Sequence, residues 1–180
     1  MTQTQTKIGI NNFHADFSKK FLIFGIGILI VLFEIALAKW SLFFTATPIL
    51  SLCYIFTILL LRPHFMSVAT IILIALLFEL LGGDMLGVRI TAFYIASIVV
   101  QKKLGSNEND DFISHWANFS LICFGFVLFR LLVFISLYFI IPNLSILAFQ
   151  IGITILVFPI FFVTISVVFS IFEPSTYPVD

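Results

Sequence analysis

Charge is scarce in this chain. Nine lysines and arginines and nine acidic residues are spread over 180 positions and cancel to zero. At 10% charged residues there is almost no polar surface with which to clothe a water-soluble fold. The zero balance points to neither an acidic nor a basic partner, and no nucleic acid is expected among the partners. Cysteine is equally scarce. Cys53 and Cys123 both lie inside apolar runs, lack metal-site spacing, and are expected to be buried, reduced and apolar in behaviour. His14, His64 and His115 stand apart, with no second ligand one helical turn away. No nucleophile elbow, zinc-protease helix or glycine-rich phosphate loop occurs. No catalytic residue, metal ligand or cofactor is therefore expected, and the chain is not expected to be an enzyme. Strand-type alternation is missing, which excludes a closed β-barrel, and no internal repeat is visible.

What the chain has instead is apolar length: 61% hydrophobic residues and a mean hydropathy of +1.20. A hydrocarbon core ~30 Å thick needs about 20 apolar residues of helix. Six blocks reach or approach that length, at 21–38, 41–61, 65–81, 85–100, 117–141 and 146–172. The expected fold is an all-α integral membrane protein, a six-transmembrane-helix bundle forming one domain. A tail over 1–20 precedes it and a tail over 173–180 follows. The fourth block is shortest, and Lys102 and Lys103 extend it by snorkelling. Lys7, Lys19, Lys20, Arg62, Lys102 and Lys103 fall on one side of such a bundle, against Lys39 and Arg89 on the other. That asymmetry puts both termini in the cytoplasm. Trp40 and Trp116 fall at opposite interfaces, as an aromatic belt requires.

Four local features carry their own expectations. Ala36-Leu37-Ala38 imitates a signal-peptidase site, but Glu34 interrupts the approach to it, so an uncleaved first helix is expected. Phe13, Phe17 and Phe21 recur every four residues, which fits a short helix on the inner headgroups or a disordered tail. Gln101–His115 reads as a solvated polar loop, with Ser114 capping the next helix. Pro48 and Pro159 are expected to kink or interrupt the second and sixth helices.

The informative polar residues are charges in or beside the apolar blocks. Glu34 and Glu79 lie near the outer ends of helices one and three, and Asp84 and Arg89 flank the turn between helices three and four. Arg130 is deep in helix five, roughly 18 Å from Pro142 by helix rise. An arginine at such depth costs about 2.5–3.5 kcal/mol unless paired or hydrated. Arg130 is accordingly expected to face the interior and pair with Glu34 or Glu79. Either that pair is glue between helices, or the outward-facing charges line a small-solute site. Glycine permits the tight reversal at Gly82, Gly83 and Gly87, and Asp84 suits the same turn.

The run from Pro48 to Tyr54, then Arg62-Pro63-His64-Phe65-Met66, then Ala75 to Arg89 with Glu79, Gly82, Gly83, Asp84 and Gly87, resembles the rod shape-determining protein MreD family. The resemblance covers about Thr45 to Val100, and Pro159 in the last helix also fits it. It implies a non-catalytic component of the bacterial inner membrane within the cell elongation machinery. Implied partners are MreC, the MreB filament, and the RodA-type glycan polymerase with its transpeptidase. Pro48, Tyr54, Arg62, Pro63, Glu79, Gly82, Gly83, Asp84, Gly87 and Arg89 become its candidate structural and interaction residues. The resemblance also implies a fold like that of the substrate-binding subunits of energy-coupling-factor transporters. The alternative function follows from that likeness: a transporter subunit with Glu34, Glu79, Asp84, Arg89 and Arg130 around an outward-facing site. Such subunits resemble one another in a small-residue docking motif on helix one; here Gly25, Gly27, Ala36 and Ala38 are present without an Ala-xxx-Ala.

Overall fold

Pro48 decides where the second helix begins. In the computed structural model, which describes residues 2–40, 46–83, 86–104 and 111–172, residues 46–49 form no regular element and α2 starts just beyond the proline. Side chains are described for 19–40, 46–83, 86–102 and 111–168. The helices are α1 (Thr2–Ala38), α2 (Leu50–Leu61), α3 (Val68–Gly82), α4 (Val88–Leu104), α5 (Phe112–Tyr138) and α6 (Leu144–Phe172), with a 3₁₀ turn at Pro63–Phe65. No strand occurs among the described residues.

Among the described residues three stretches are long and apolar enough to cross a membrane: Lys19–Ala38, Phe112–Tyr138 and Leu144–Val168. The expected block 41–61 is shortened to a helix of 12 residues, about 18 Å long and well under a hydrocarbon thickness. Residues 41–45 of that block lie outside the described part. The third expected block becomes a 15-residue helix. At the N-terminus α1 is helical from Thr2, so helix runs through the segment 2–20 into the first block. The polar loop is also shorter than Gln101–His115, since α4 runs to Leu104 and α5 opens at Phe112. Asp111, not Ser114, is the residue at the N-cap of α5.

α2 is the axis of the bundle. Ten of its twelve residues are buried, as befits a helix apolar on every face. Around it α1 packs on α3, α3 on α4, α4 on α5 and α5 on α6, while α2 itself touches α1, α4 and α6. The seam of this ring lies between α6 and α1. Gly27 lets α1 come close, for a Cβ there would sit 2.6 Å from Ile74 Cδ1 and 3.2 Å from Tyr54 Cε1. Aromatic packing fills the centre: Phe119 and Phe158 stack at 4.1 Å, and Phe56 meets both edge-on at 5.2 and 5.5 Å.

The irregular lead-in at 46–49 would be costly in an apolar setting unless its amides and carbonyls found partners. Two residues of α6 supply them. Gln150 Nε2 donates to the Thr47 carbonyl at 2.9 Å, and the Ile49 amide donates to Thr154 Oγ1 at 3.1 Å. Irregular backbone is thus tolerated here because α6 satisfies it from one face.

Pro159 does sit inside α6, and its missing N–H leaves the carbonyl four residues back without a helical donor. That carbonyl belongs to Ile155, and Trp116 Nε1 on α5 donates to it at 3.1 Å. The tryptophan expected as a belt residue therefore repairs the break its neighbour makes. Trp116→Phe should cost about 1 kcal/mol in the Pro159 background. It should cost almost nothing after Pro159→Ala, which restores the intrahelical bond. Equal losses in both backgrounds, read by unfolding in detergent, would remove the repair role.

Candidate functional site

Glu79 lies in the last turn of α3 and is almost wholly buried, at 1% exposure. Gly83 ends α3 in the left-handed region with φ 69°, and Gly87 reverses the chain with φ 91° just before α4. Those two conformations suit glycine because no Cβ opposes them. They also bring the start of α4 back onto Glu79. Its Oε2 accepts from the Gly87 amide at 2.8 Å, and its Oε1 accepts from the amides of Arg89 at 2.6 Å and Ile90 at 3.2 Å. A helix start leaves its first amides without intrahelical acceptors. One carboxylate here answers three of them, and the helix dipole favours its negative charge.

Glu34 does the same service for α2. It sits near the end of α1 at 2% exposure, and its Oε2 accepts from the Ser51 amide in the first turn of α2 at 2.7 Å. Its Oε1 accepts from Arg89 Nη1 at 3.0 Å, the ion pair of the core. Arg89 Nη1 also donates to Ser51 Oγ at 3.2 Å. The guanidinium sits over an aromatic face, with Cζ 3.3 Å from the Phe78 ring centroid, a favourable seat for a desolvated cation. The result is a buried network through Glu34, Ser51, Arg89 and Glu79 that joins α1, α2, α3 and α4.

This arrangement corrects the expected ion pair. Glu34 takes Arg89 as its partner rather than Arg130, and Glu79 takes the amides of the α4 start rather than a guanidinium. Arg130 is half-buried on α5 and lines two cavities together with Arg89. One, of about 200 Å³, reaches Gly83, Phe126 and Tyr138. The other, of about 300 Å³, has Glu34, Arg89, Arg130 and Gln150 on its walls.

The remaining predicted residues divide between the ends of the bundle. Pro48 is buried in the irregular lead-in beside the network. Tyr54 is buried on α2, its hydroxyl donating to the Ile23 carbonyl of α1. Arg62 and Pro63 are exposed at the other end of α2, around the 3₁₀ turn, a helix length away from Glu79. Gly82 closes α3 against its own Phe78, whose ring leaves little room for a Cβ there. Asp84 lies outside the described residues.

Sequence reasoning missed Ser51, Phe78 and Gln150. Gln150 alone carried a readable signal, as the single glutamine in the apolar stretch of α6. A lone amide in such a setting announces a buried partner. Ser51 acts largely through its backbone amide, which any residue would supply. No protein family, no curated protein and no solved structure matches this chain.

Proposed function

We propose that this chain is a non-catalytic scaffold of the bacterial inner membrane, of the MreD type, crossing the bilayer several times with both termini in the cytoplasm. It would hold the transmembrane helix of MreC and position the RodA-type glycan polymerase and its transpeptidase beside the MreB filament. One observation carries the reading. Glu79, Gly83, Gly87 and Arg89, central to the resembling motif, act on one another and on the helix starts. A polar cluster turned inward fixes helix geometry, and a fixed array of helices with an apolar exterior is what a packing platform in lipid requires. Large apolar side chains such as Leu29, Phe33, Leu121, Leu132 and Leu156 face outward.

The cavity of about 300 Å³ walled by Glu34, Arg89, Arg130 and Gln150 favours a second reading, a substrate-binding subunit of an energy-coupling-factor-type transporter. One experiment separates the two. The tagged protein is purified from native membranes in mild detergent, and what accompanies it is identified by mass spectrometry. Recovery of MreC with a RodA-type synthase is the expected result. Recovery of a coupling subunit with paired ATPases would overturn the scaffold, and a small solute that raises the melting temperature would then name the cargo.

A further inference from the structure

The seam between α6 and α1 encloses a cavity of about 400 Å³ that the polar network does not touch. Lys19, Ile26 and Ile30 line it from α1, Tyr54 forms part of its floor, and Ile165 and Val168 line it from α6. Its hydroxyls are engaged elsewhere. Tyr54 donates to the Ile23 carbonyl, and Thr164 donates to the Ile160 carbonyl one turn back. The walls therefore present hydrocarbon, and an occupant must be hydrocarbon too.

Length discriminates between occupants. From Lys19 to Ile30 the α1 wall spans twelve residues, ~16 Å over the rises between them. That is about half of a ~30 Å hydrocarbon core. A crossing helix of another protein would need a groove through both leaflets, whereas an acyl chain occupies one. Lys19 lines one end of the groove, where the apolar stretch Lys19–Ala38 begins. There the Lys19 ammonium stands 5.8 Å from the Phe65 ring centroid, and Lys20 beside it is exposed. Lysines at the end of an apolar stretch raise their ammonium groups to headgroup level, where they attract anionic lipid.

We propose that the α1–α6 seam binds one acyl chain of an anionic phospholipid, with Lys19 and Lys20 at the headgroup phosphate. This site stands independently of the scaffold reading, because no protein partner enters it.

The test uses the full-length protein, delipidated in detergent and titrated with phosphatidylglycerol or phosphatidylcholine of identical chains, with binding read by native mass spectrometry. One tightly held phosphatidylglycerol is expected, with phosphatidylcholine about tenfold weaker. Lys19→Gln should weaken phosphatidylglycerol about fivefold and leave phosphatidylcholine unchanged. Ile26→Trp and Ile165→Trp fill the groove from opposite walls, and either folded variant should lose the tight site for both lipids. Equal affinity for the two lipids, or a tight site that survives both tryptophans, overturns the proposal. So does a photo-crosslinker at position 26 that captures a transmembrane helix rather than lipid in native membranes.

Discussion

Arg89→Leu should destabilise the protein by about 3–5 kcal/mol, the usual consequence of leaving one charge of a buried pair without its counterpart. The stranded group is Glu34, which is 2% exposed and loses the guanidinium at 3.0 Å. Glu34→Gln in the same chain should recover most of the loss. A glutamine oxygen still accepts the Ser51 amide, and no unpaired charge remains. Arg89→Lys should remain clearly destabilised, because a strongly hydrated ammonium is a poor substitute for the planar guanidinium that sits 3.3 Å over the Phe78 ring. A double-mutant cycle measured by denaturant unfolding in detergent micelles gives the coupling. Strong coupling of Glu34 to Arg89 and little to Arg130 is the expected pattern. A cycle in which Glu34 couples to Arg130 instead would dismantle the network described for α1 to α4.

The helical class was legible from composition and block length, since apolar runs of such length have few other ways to satisfy their backbone. What was illegible was which blocks are full-length helices. The run 41–61 reads as one span by apolar length, and the interruption at Pro48 was legible within it; what the sequence did not show is that the irregular lead-in left there is held by a neighbour. The neighbour is α6, a hundred residues on, through Gln150 and Thr154. Arg130 misled for a related reason. Counting rise along a helix gives depth but not azimuth, and the burial of Arg89 depends on how the Gly83 and Gly87 reversal aims the first turn of α4. By depth alone Arg89 belongs to a loop; by orientation it is 4% exposed and sits on Phe78. The acidic residues were singled out as candidate partners of Arg130, but their main service, capping the starts of α2 and α4, lies in backbone amides that leave no mark on the sequence.

That service makes Glu79→Ala the second large effect expected. Alanine removes the acceptor for the amides of Gly87, Arg89 and Ile90 at once. Each buried donor left without a partner costs about 1–3 kcal/mol. The Arg89 amide is buried, while the Gly87 and Ile90 bonds are partly buried, so water relieves some of the loss. A total of about 3–4 kcal/mol is expected on that basis, enough to unfold a protein of ordinary marginal stability. Glu79→Gln should cost roughly half as much, because its single carbonyl oxygen keeps one side of the arrangement while its amide opposes the donors on the other. The damage should begin locally. Hydrogen exchange should accelerate first at the amides of 87–91, and the Arg89–Glu34 pair should weaken with them because the guanidinium is carried on the turn that Glu79 holds. A Glu79→Ala variant as stable as the parent, with those amides still protected, would mean that the helix start is held by something other than this carboxylate.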